Sequence, residues 1–157
     1  MLSERVRAAY EFAAKKHDGQ YRICGAPYIT HPAAVMEMLR EEGYSEDYLI
    51  TALFHDLLED TDAEEEEILS YGGENVLEAV KILTKYEGYV MEEYVSSIKQ
   101  NEIAYAVKAA DRLHNLRSAF AADKSFRRKY ISGTRKWYMD FSDEIPKAVE
   151  ELEKSLD

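Results

Sequence analysis

One apolar stretch, residues 52–61, constrains the fold of this chain more than any other part of its sequence. It carries four ionisable residues in six positions: His55, Asp56, Glu59 and Asp60. At 3.6 residues per helical turn, all four fall within roughly 140° of the circumference, and leucines cover most of the rest. Carboxylates on a buried helix are destabilising when they have no partner. The stretch therefore predicts a helix whose charged side faces a cation in a cleft.

Long segments without a helix breaker predict an all-α chain. Only three prolines and seven glycines occur in 157 residues, and strand-like alternation is scarce. Hydrophobic residues make up 46% of the chain, which is enough for a packed interior. Helices are predicted at about residues 3–17, 30–42, 45–61, 62–71, 74–83, 91–99, 101–121, 124–138 and 143–156.

The composition argues against several classes of partner. A net charge of −11 lacks the basic footprint of a general nucleic-acid binder. The single cysteine, Cys24, excludes an internal disulfide and a cysteine-rich zinc site, which fits a reducing cytoplasm. No N-terminal segment resembles a signal peptide, and no apolar run approaches the roughly 18 residues of a membrane span. We therefore expect a cytoplasmic protein that binds neither nucleic acid nor membrane.

Two other segments offer candidate ligands for the same cation. His31 lies at a predicted helix start, immediately before a proline. Asp111, Asn115 and Ser118 are spaced i, i+4, i+7, so one helical stripe presents a carboxylate, an amide and a hydroxyl. The residues before this stripe are small or apolar, which is typical of a buried helix, and a polar stripe on a buried helix indicates a site.

Together these segments supply two imidazoles and two carboxylates, from His31, His55, Asp56 and Asp111. A mixed nitrogen and oxygen set suits Mn²⁺, Fe²⁺ or Zn²⁺ better than Ca²⁺, and it leaves positions for water or phosphate oxygens. Glu59 and Asp60 lie one turn beyond the His-Asp pair, where carboxylates can act on whatever the metal holds. The segments therefore predict a metal site with two acidic groups beside it.

The same residues resemble the ligand pattern of the HD-domain metal-dependent phosphohydrolases. More narrowly, the chain is similar to the hydrolase domain of the RelA/SpoT alarmone enzymes and to single-domain small alarmone hydrolases. The similar segments are residues 17–22, 27–32, 55–61 and 110–117. The resemblance covers about residues 5–120 and implies an HD-domain helical bundle. We expect residues 1–157 to form a single domain, with residues 121–157 as its C-terminal helices.

The resemblance also implies an activity and roles for the matching residues. Relatives hydrolyse guanosine 3′,5′-bis(diphosphate), ppGpp, or its pentaphosphate to GDP or GTP plus pyrophosphate, a reaction of the stringent response. Glu59 and Asp60 would activate or orient the attacking water. Arg22 would lie against the base, Asn115 would contact sugar or phosphate, and Ser118 occupies the place of a small hydroxyl residue near the substrate. One Mn²⁺, with Fe²⁺ or Zn²⁺ as alternatives, would be held by His31, His55, Asp56 and Asp111.

Two further substrate contacts are predicted beside alternative roles. Lys85 belongs to a Thr-Lys pair that the family shares, and its charge could counter substrate phosphates or pair with the acidic excess of the chain. Tyr28 could stack on a base, whereas core packing explains most of the 12 tyrosines.

The substrate loop departs from the family pattern. Ile23, Cys24 and Ala26 stand where the family has lysine, serine and glutamate, and an Arg-Lys pair usual before the Asp111 segment is absent. The reaction class is therefore better determined than the substrate. Two alternatives stay open: an HD phosphohydrolase acting on a nucleoside monophosphate or triphosphate, and a nucleotide-sensing protein without turnover. Which of Glu59 and Asp60 is the base, and the oligomeric state, do not follow from the sequence.

Overall fold

The structure, a computed structural model, describes all 157 residues. It consists of ten α-helices and one 3₁₀ turn without a β-strand, so the predicted all-α class is confirmed. An isolated bridge between Tyr21 and Pro27 is the one extended pairing. The helices are α1 (Glu4–Lys16), α2 (Thr30–Glu41), α3 (Glu46–Phe54), α4 (Leu57–Asp60), α5 (Glu65–Gly72), α6 (Glu74–Leu83), α7 (Met91–Lys99), α8 (Glu102–Ser118), α9 (Lys124–Trp137) and α10 (Glu144–Lys154), and the 3₁₀ turn is Ala119–Ala121.

Local sequence signals set most helix ends. The Ser3 hydroxyl accepts a hydrogen bond from the Val6 N–H at 3.2 Å and caps α1. Gly43, with φ of +88°, follows α2 in a conformation that favours glycine. The predicted capping of α5 by Asp62 is wrong, because the helix begins after Glu64. There the side chains of Glu64 and Glu67 form a capping box, which satisfies backbone N–H groups at both positions.

The predicted continuous helix through residues 45–61 is interrupted at its centre. Helix α3 ends at Phe54 and α4 begins at Leu57, which places His55 and Asp56 in a turn. The His55 ring lies 2.6 Å from the Ala52 carbonyl oxygen, the group that a continuous helix would pair with the Asp56 N–H. The ring therefore competes with the helical hydrogen bond, and the His-Asp pair lies between two helices instead of on one helical face.

One cluster of 35 buried hydrophobic residues forms the core. Helix α3 lies at its centre, with residues 49–54 all buried, and packs against α1, α2, α6 and α8. Helices α9 and α10 contribute side chains to the same cluster. None of the helices combines the length and the apolar character that crossing a membrane requires.

Candidate metal centre

Three buried side chains from different elements converge beside the α3–α4 turn. They are His31 at the start of α2, His55 in the turn and Asp111 on α8, and one ligand atom from each lies within 4.8 Å of the others. The Asp111 Oδ1 atom is 2.7 Å from His31 Nε2 and 3.2 Å from His55 Nε2. Packing of α2, α3 and α8 therefore brings together residues that are 80 positions apart in the chain.

Asp56, the fourth predicted ligand, lies at the edge of this cluster. Its Oδ2 atom is 3.1 Å from His55 Nε2, and the same oxygen accepts a hydrogen bond from the Tyr28 hydroxyl. Burial and the Asp56 carboxylate raise the pKa of Tyr28, so the hydroxyl keeps its proton and acts as a donor. Tyr28 therefore touches a candidate ligand directly, a contact that differs from the base stacking considered above.

The His55 ring tests whether this set fits a metal ion. Because a carbonyl oxygen only accepts, the contact with Ala52 places the proton on His55 Nδ1 and leaves a lone pair on Nε2 in the neutral ring. That Nε2 atom is buried without a hydrogen-bond partner, and two carboxylate oxygens lie beside it. A lone pair facing two carboxylates is repulsive unless a positive charge lies among them. The donor set therefore fits a divalent cation.

The pKa values of His55 and Asp111 also indicate that positive charge stabilises the cluster. Burial lowers the pKa of His55, but Asp56 and Asp111 together outweigh burial and raise that pKa well above its ordinary value. For Asp111, burial raises the pKa, and Lys108 and His55 together hold it well below the usual range. The Lys108 ammonium lies 3.4 Å from Asp111 Oδ2. Asp111 consequently stays ionised and available to a cation.

His114 contacts the cluster from the side opposite to the ligand atoms. Its Nδ1 atom lies 2.8 Å from His31 Nδ1, so one of the two rings donates to the other. Burial and the neighbouring His31 and Arg22 lower the pKa of His114 to about 4. A neutral His114 can accept from His31 Nδ1, which would leave His31 Nε2 free as a ligand.

The two candidate catalytic carboxylates follow on α4 at an exposed position. Glu59 Oε1 accepts the backbone N–H of Lys85 at 2.5 Å, whereas the Asp60 carboxylate forms no hydrogen bond. Partial loss of solvent around the carboxyl raises the pKa of Glu59 against the effect of that N–H, and the Asp56 and Asp60 carboxylates raise it further. Burial and the Asp56 carboxylate raise the pKa of Asp60 as well. Both groups are therefore better bases than ordinary surface carboxylates.

A cavity of about 250 Å³ lies beside the cluster. Arg22 donates to Asn115 Oδ1 at 3.2 Å, and Asn115 Nδ2 lies 3.3 Å from Asp111 Oδ1, so the cavity adjoins the candidate ligands. The Ser118 hydroxyl donates to the His114 carbonyl and keeps its lone pairs available. Four of the five predicted substrate contacts line this cavity, namely Arg22, Tyr28, Asn115 and Ser118.

Lys85 is the predicted substrate contact that lies elsewhere. Its ammonium is 5.5 Å from the centre of the Tyr89 ring and 5.4 Å from that of Tyr94, on the side of Glu59. Its backbone N–H reaches the site through the hydrogen bond to Glu59, and its charge lies near enough to Glu59 to lower the pKa of that carboxyl.

Other residues near the site were not predicted to belong to it. Lys108 packs against Asp111, and Phe126 and Tyr130 of α9 form one wall of the cavity. The Lys108–Asp111 spacing of i, i+3 on one helix is a sequence signal that could have identified the first. The α9 residues carry no such signal, because only the packing of α9 places them there.

Comparisons with known proteins agree with this geometry. The family model described as the HD domain matches residues 9–144. The chain is 35% identical over 144 residues to the guanosine-3′,5′-bis(diphosphate) 3′-pyrophosphohydrolase of Aquifex aeolicus, a match that covers 87% of this chain and 21% of that protein. It is 32% identical over 146 residues to the bifunctional (p)ppGpp synthase/hydrolase SpoT of Escherichia coli, covering 86% and 21%. The chain thus spans about a fifth of the length of these relatives.

The fold is also similar to that of a solved structure described as a metazoan ortholog of SpoT that hydrolyses ppGpp. The two agree with a TM-score of 0.80 over 100% of this chain and 99% of that chain, at 24% sequence identity.

Proposed function

This chain belongs to the HD-domain family, and on that premise we propose that it is a metal-dependent hydrolase that removes pyrophosphate from the 3′ position of guanosine 3′,5′-bis(diphosphate). The observation that carries the proposal is the unpartnered Nε2 atom of His55, which faces two carboxylates and fits a cation. The named activities of the Aquifex and Escherichia relatives support the choice of substrate.

We propose that one Mn²⁺ binds at His31, His55, Asp56 and Asp111. When bound, a divalent ion neutralises phosphate charge and acidifies a water molecule, which lowers the barrier of phosphate-ester hydrolysis. The chain's own residues prepare that centre. Ala52 orients the His55 ring, and Lys108 keeps Asp111 ionised. His114 lies against the outer nitrogen of His31.

The two carboxylates on α4 divide the work of activating water. Glu59 is held by the Lys85 N–H, which restrains its carboxylate. Asp60 has no hydrogen bond to its carboxylate and a raised pKa, so it is free to take a proton from water near neutral pH. We propose Asp60 as the general base and Glu59 as the group that orients the water.

The nucleotide is proposed to occupy the cavity next to the metal centre. Arg22 is the one cationic side chain that lines it, and it can contact the base or a phosphate. Asn115 links this cavity to Asp111 and can reach the sugar. Cys24 is exposed and unpaired, in keeping with the reducing cytoplasm that we propose as the site of action.

The residues that line the cavity favour a second candidate substrate. Ile23 and Cys24 line it in place of the lysine and serine of the family pattern, which removes one cation and one hydroxyl from the nucleotide site. A nucleoside monophosphate or triphosphate needs fewer cationic contacts than a molecule with two diphosphates. Hydrolysis of such a nucleotide is therefore the alternative within the same chemistry.

The decisive experiment measures pyrophosphate and phosphate release from ppGpp, GTP, deoxynucleoside triphosphates and nucleoside monophosphates. The protein is assayed with Mn²⁺ and after chelation, and D111N is the metal-site control. We expect GDP and pyrophosphate from ppGpp, lost on chelation and in D111N. Turnover of another nucleotide alone would favour the second candidate. Mn²⁺ binding without turnover of any nucleotide would reject catalysis, and nucleotide binding by that inactive protein would then test the nucleotide-sensing alternative.

A further inference from the structure

A hydrogen-bonded chain of side chains runs from the end of α1 to the end of α4. His17 Nδ1 lies 2.9 Å from Gln20 Oε1, and Gln20 Nε2 donates to the backbone carbonyl of Asp60 at 2.8 Å. Asp60 is the last residue of α4, so its carbonyl has no partner within the helix. Gln20 supplies that partner to the residue proposed as the base.

The directions of these hydrogen bonds follow from the chemistry of the groups. The Asp60 carbonyl only accepts, so the amide nitrogen of Gln20 faces it and the amide oxygen faces His17. His17 Nδ1 must then carry the proton, and Nε2 is left as an acceptor. That Nε2 atom is buried without a hydrogen-bond partner, in a side chain that is 2% exposed.

Packing does not explain a histidine at position 17. A buried acceptor without a donor costs about 1–3 kcal/mol. An apolar side chain of similar size would avoid that cost and could still pack against the Tyr28 ring, whose centre is 4.8 Å from that of His17. The hydrogen bond to Gln20 is the interaction that an apolar residue could not make.

The loop that contains Gln20 reaches both halves of the site. The Tyr28 N–H donates to the Gln20 carbonyl at 2.8 Å, and the Tyr28 hydroxyl donates to Asp56. The same loop therefore holds a candidate metal ligand at one end and the proposed base at the other. The loop thus contacts α4 at its N-cap residue, Asp56, and at its last residue, Asp60.

We propose that His17 and Gln20 are positioning residues for the hydrolytic reaction. His17 donates from Nδ1 and locks the Gln20 amide, and Gln20 in turn fixes the end of α4 and the carboxylate of Asp60. Neither residue touches the substrate in this role. The proposal rests on the proposed function, in which Asp60 is the base.

Steady-state kinetics and thermal unfolding together test this role, because loss of a positioning residue should lower kcat without lowering Tm. We expect H17M and Q20M each to lower kcat about tenfold to hundredfold, because small misplacement of a catalytic group has effects of that size. KM and the Mn²⁺ dissociation constant should stay unchanged, and the Tm of H17M should be equal to or above that of the parent. H17N should retain most activity, since its amide places an N–H close to the position of Nδ1.

The matched control is Q100M. Gln100 lies at the end of α7, is exposed and bonds only to Ser96 at 3.2 Å among side chains, so we expect parental kcat and Tm. Unchanged kcat in both H17M and Q20M would overturn the proposal. A loss of kcat that follows a fall in Tm would also overturn it, because that result indicates a structural role alone.

Nuclear magnetic resonance tests the pair without any turnover. Ring ¹⁵N shifts should show His17 protonated at Nδ1 and bare at Nε2, and Q20M should move the Asp60 carbonyl ¹³C resonance upfield. An Nε2–H tautomer or a doubly protonated ring would overturn the proposal. If these signatures are present but the parent hydrolyses no nucleotide, the proposed function is wrong. The catalytic role of His17 is then wrong as well, whereas the contact of Gln20 with Asp60 is still supported.

Discussion

The net charge of the metal centre depends on what neutralises two carboxylates, the buried Asp111 and the partly buried Asp56. Lys108 offsets one negative charge at Asp111 Oδ2. His55 offsets the other only when its Nε2 atom is protonated, and that atom is also the one that faces the cluster. A divalent ion and this proton therefore compete for the same place. Metal binding is therefore favoured when the His55 ring is neutral.

The unequal surroundings of Glu59 and Asp60 lead to a prediction about their amide variants. We expect D60N to lower kcat about 100-fold or more, because the base is lost. E59Q should lose less, since its amide oxygen can still accept the Lys85 N–H. The measurement is kcat at saturating Mn²⁺ together with the Mn²⁺ dissociation constant, which both variants should leave unchanged.

Glu66 on α5 offers a matched control, because it is an exposed carboxylate outside the site. E66Q should behave as the parent. A larger loss in E59Q than in D60N would reverse the assignment of the base.

The corner between α5 and α6 depends on the absence of a side chain at Gly72. A Cβ atom there would lie 2.6 Å from Cγ1 of Val76, which is fully buried. The Gly72 carbonyl also accepts a hydrogen bond from Arg5 at 2.7 Å, which ties the corner to α1. The two helices can pack this closely only because residue 72 is glycine.

We therefore expect G72A to destabilise the protein by about 1–3 kcal/mol, the usual cost of overpacking a core. The steric cost outweighs the gain of roughly 1 kcal/mol in helix propensity. Thermal unfolding followed by circular dichroism measures the change. S70A, an exposed change on the same helix, should stay within about 0.5 kcal/mol of the parent, and a G72A protein as stable as S70A would refute this account of the corner.

The C-terminal helices are attached to the rest of the molecule through α8. Arg112 donates to the Thr134 hydroxyl at 2.9 Å and to the Tyr130 carbonyl at 3.2 Å. Seven residues after position 121 belong to the same core cluster as α3: Ile131, Tyr138, Phe141, Ile145, Ala148, Val149 and Leu152. These contacts support our proposal that residues 1–157 form one domain.

Removal of α9 and α10 should consequently unfold the protein. A chain ending at residue 122 would expose the apolar surface that those seven side chains cover, and the loss of about 1.5–3 kcal/mol for each large apolar side chain is comparable to the usual stability of about 5–15 kcal/mol. We expect no cooperative thermal transition and no Mn²⁺-dependent rise in Tm, in contrast to the full chain. A cooperative transition in the truncated chain would show that the C-terminal helices form a separate unit.

Local patterns in the sequence predicted much of this fold. Helix α6 at Glu74–Leu83 and α7 at Met91–Lys99 begin and end where their apolar periodicity predicts, because such patterns depend on residues only three or four positions apart. The residue types at His31, His55 and Asp111 likewise indicated a metal site before their distances were known. Membership of the HD-domain family confirms the resemblance that those motifs implied.

Contacts between distant segments account for what the patterns left out. The helix break at His55 and the hydrogen-bonded chain from His17 through Gln20 to Asp60 have no periodic signal, since Gln20 and Asp60 are 40 positions apart. Burial of an imidazole or a carbonyl requires a partner, and helix packing decides which partner is within reach. Residue chemistry therefore predicted which side chains could bind a metal, whereas packing determined which of their atoms face it and which residues hold them in place.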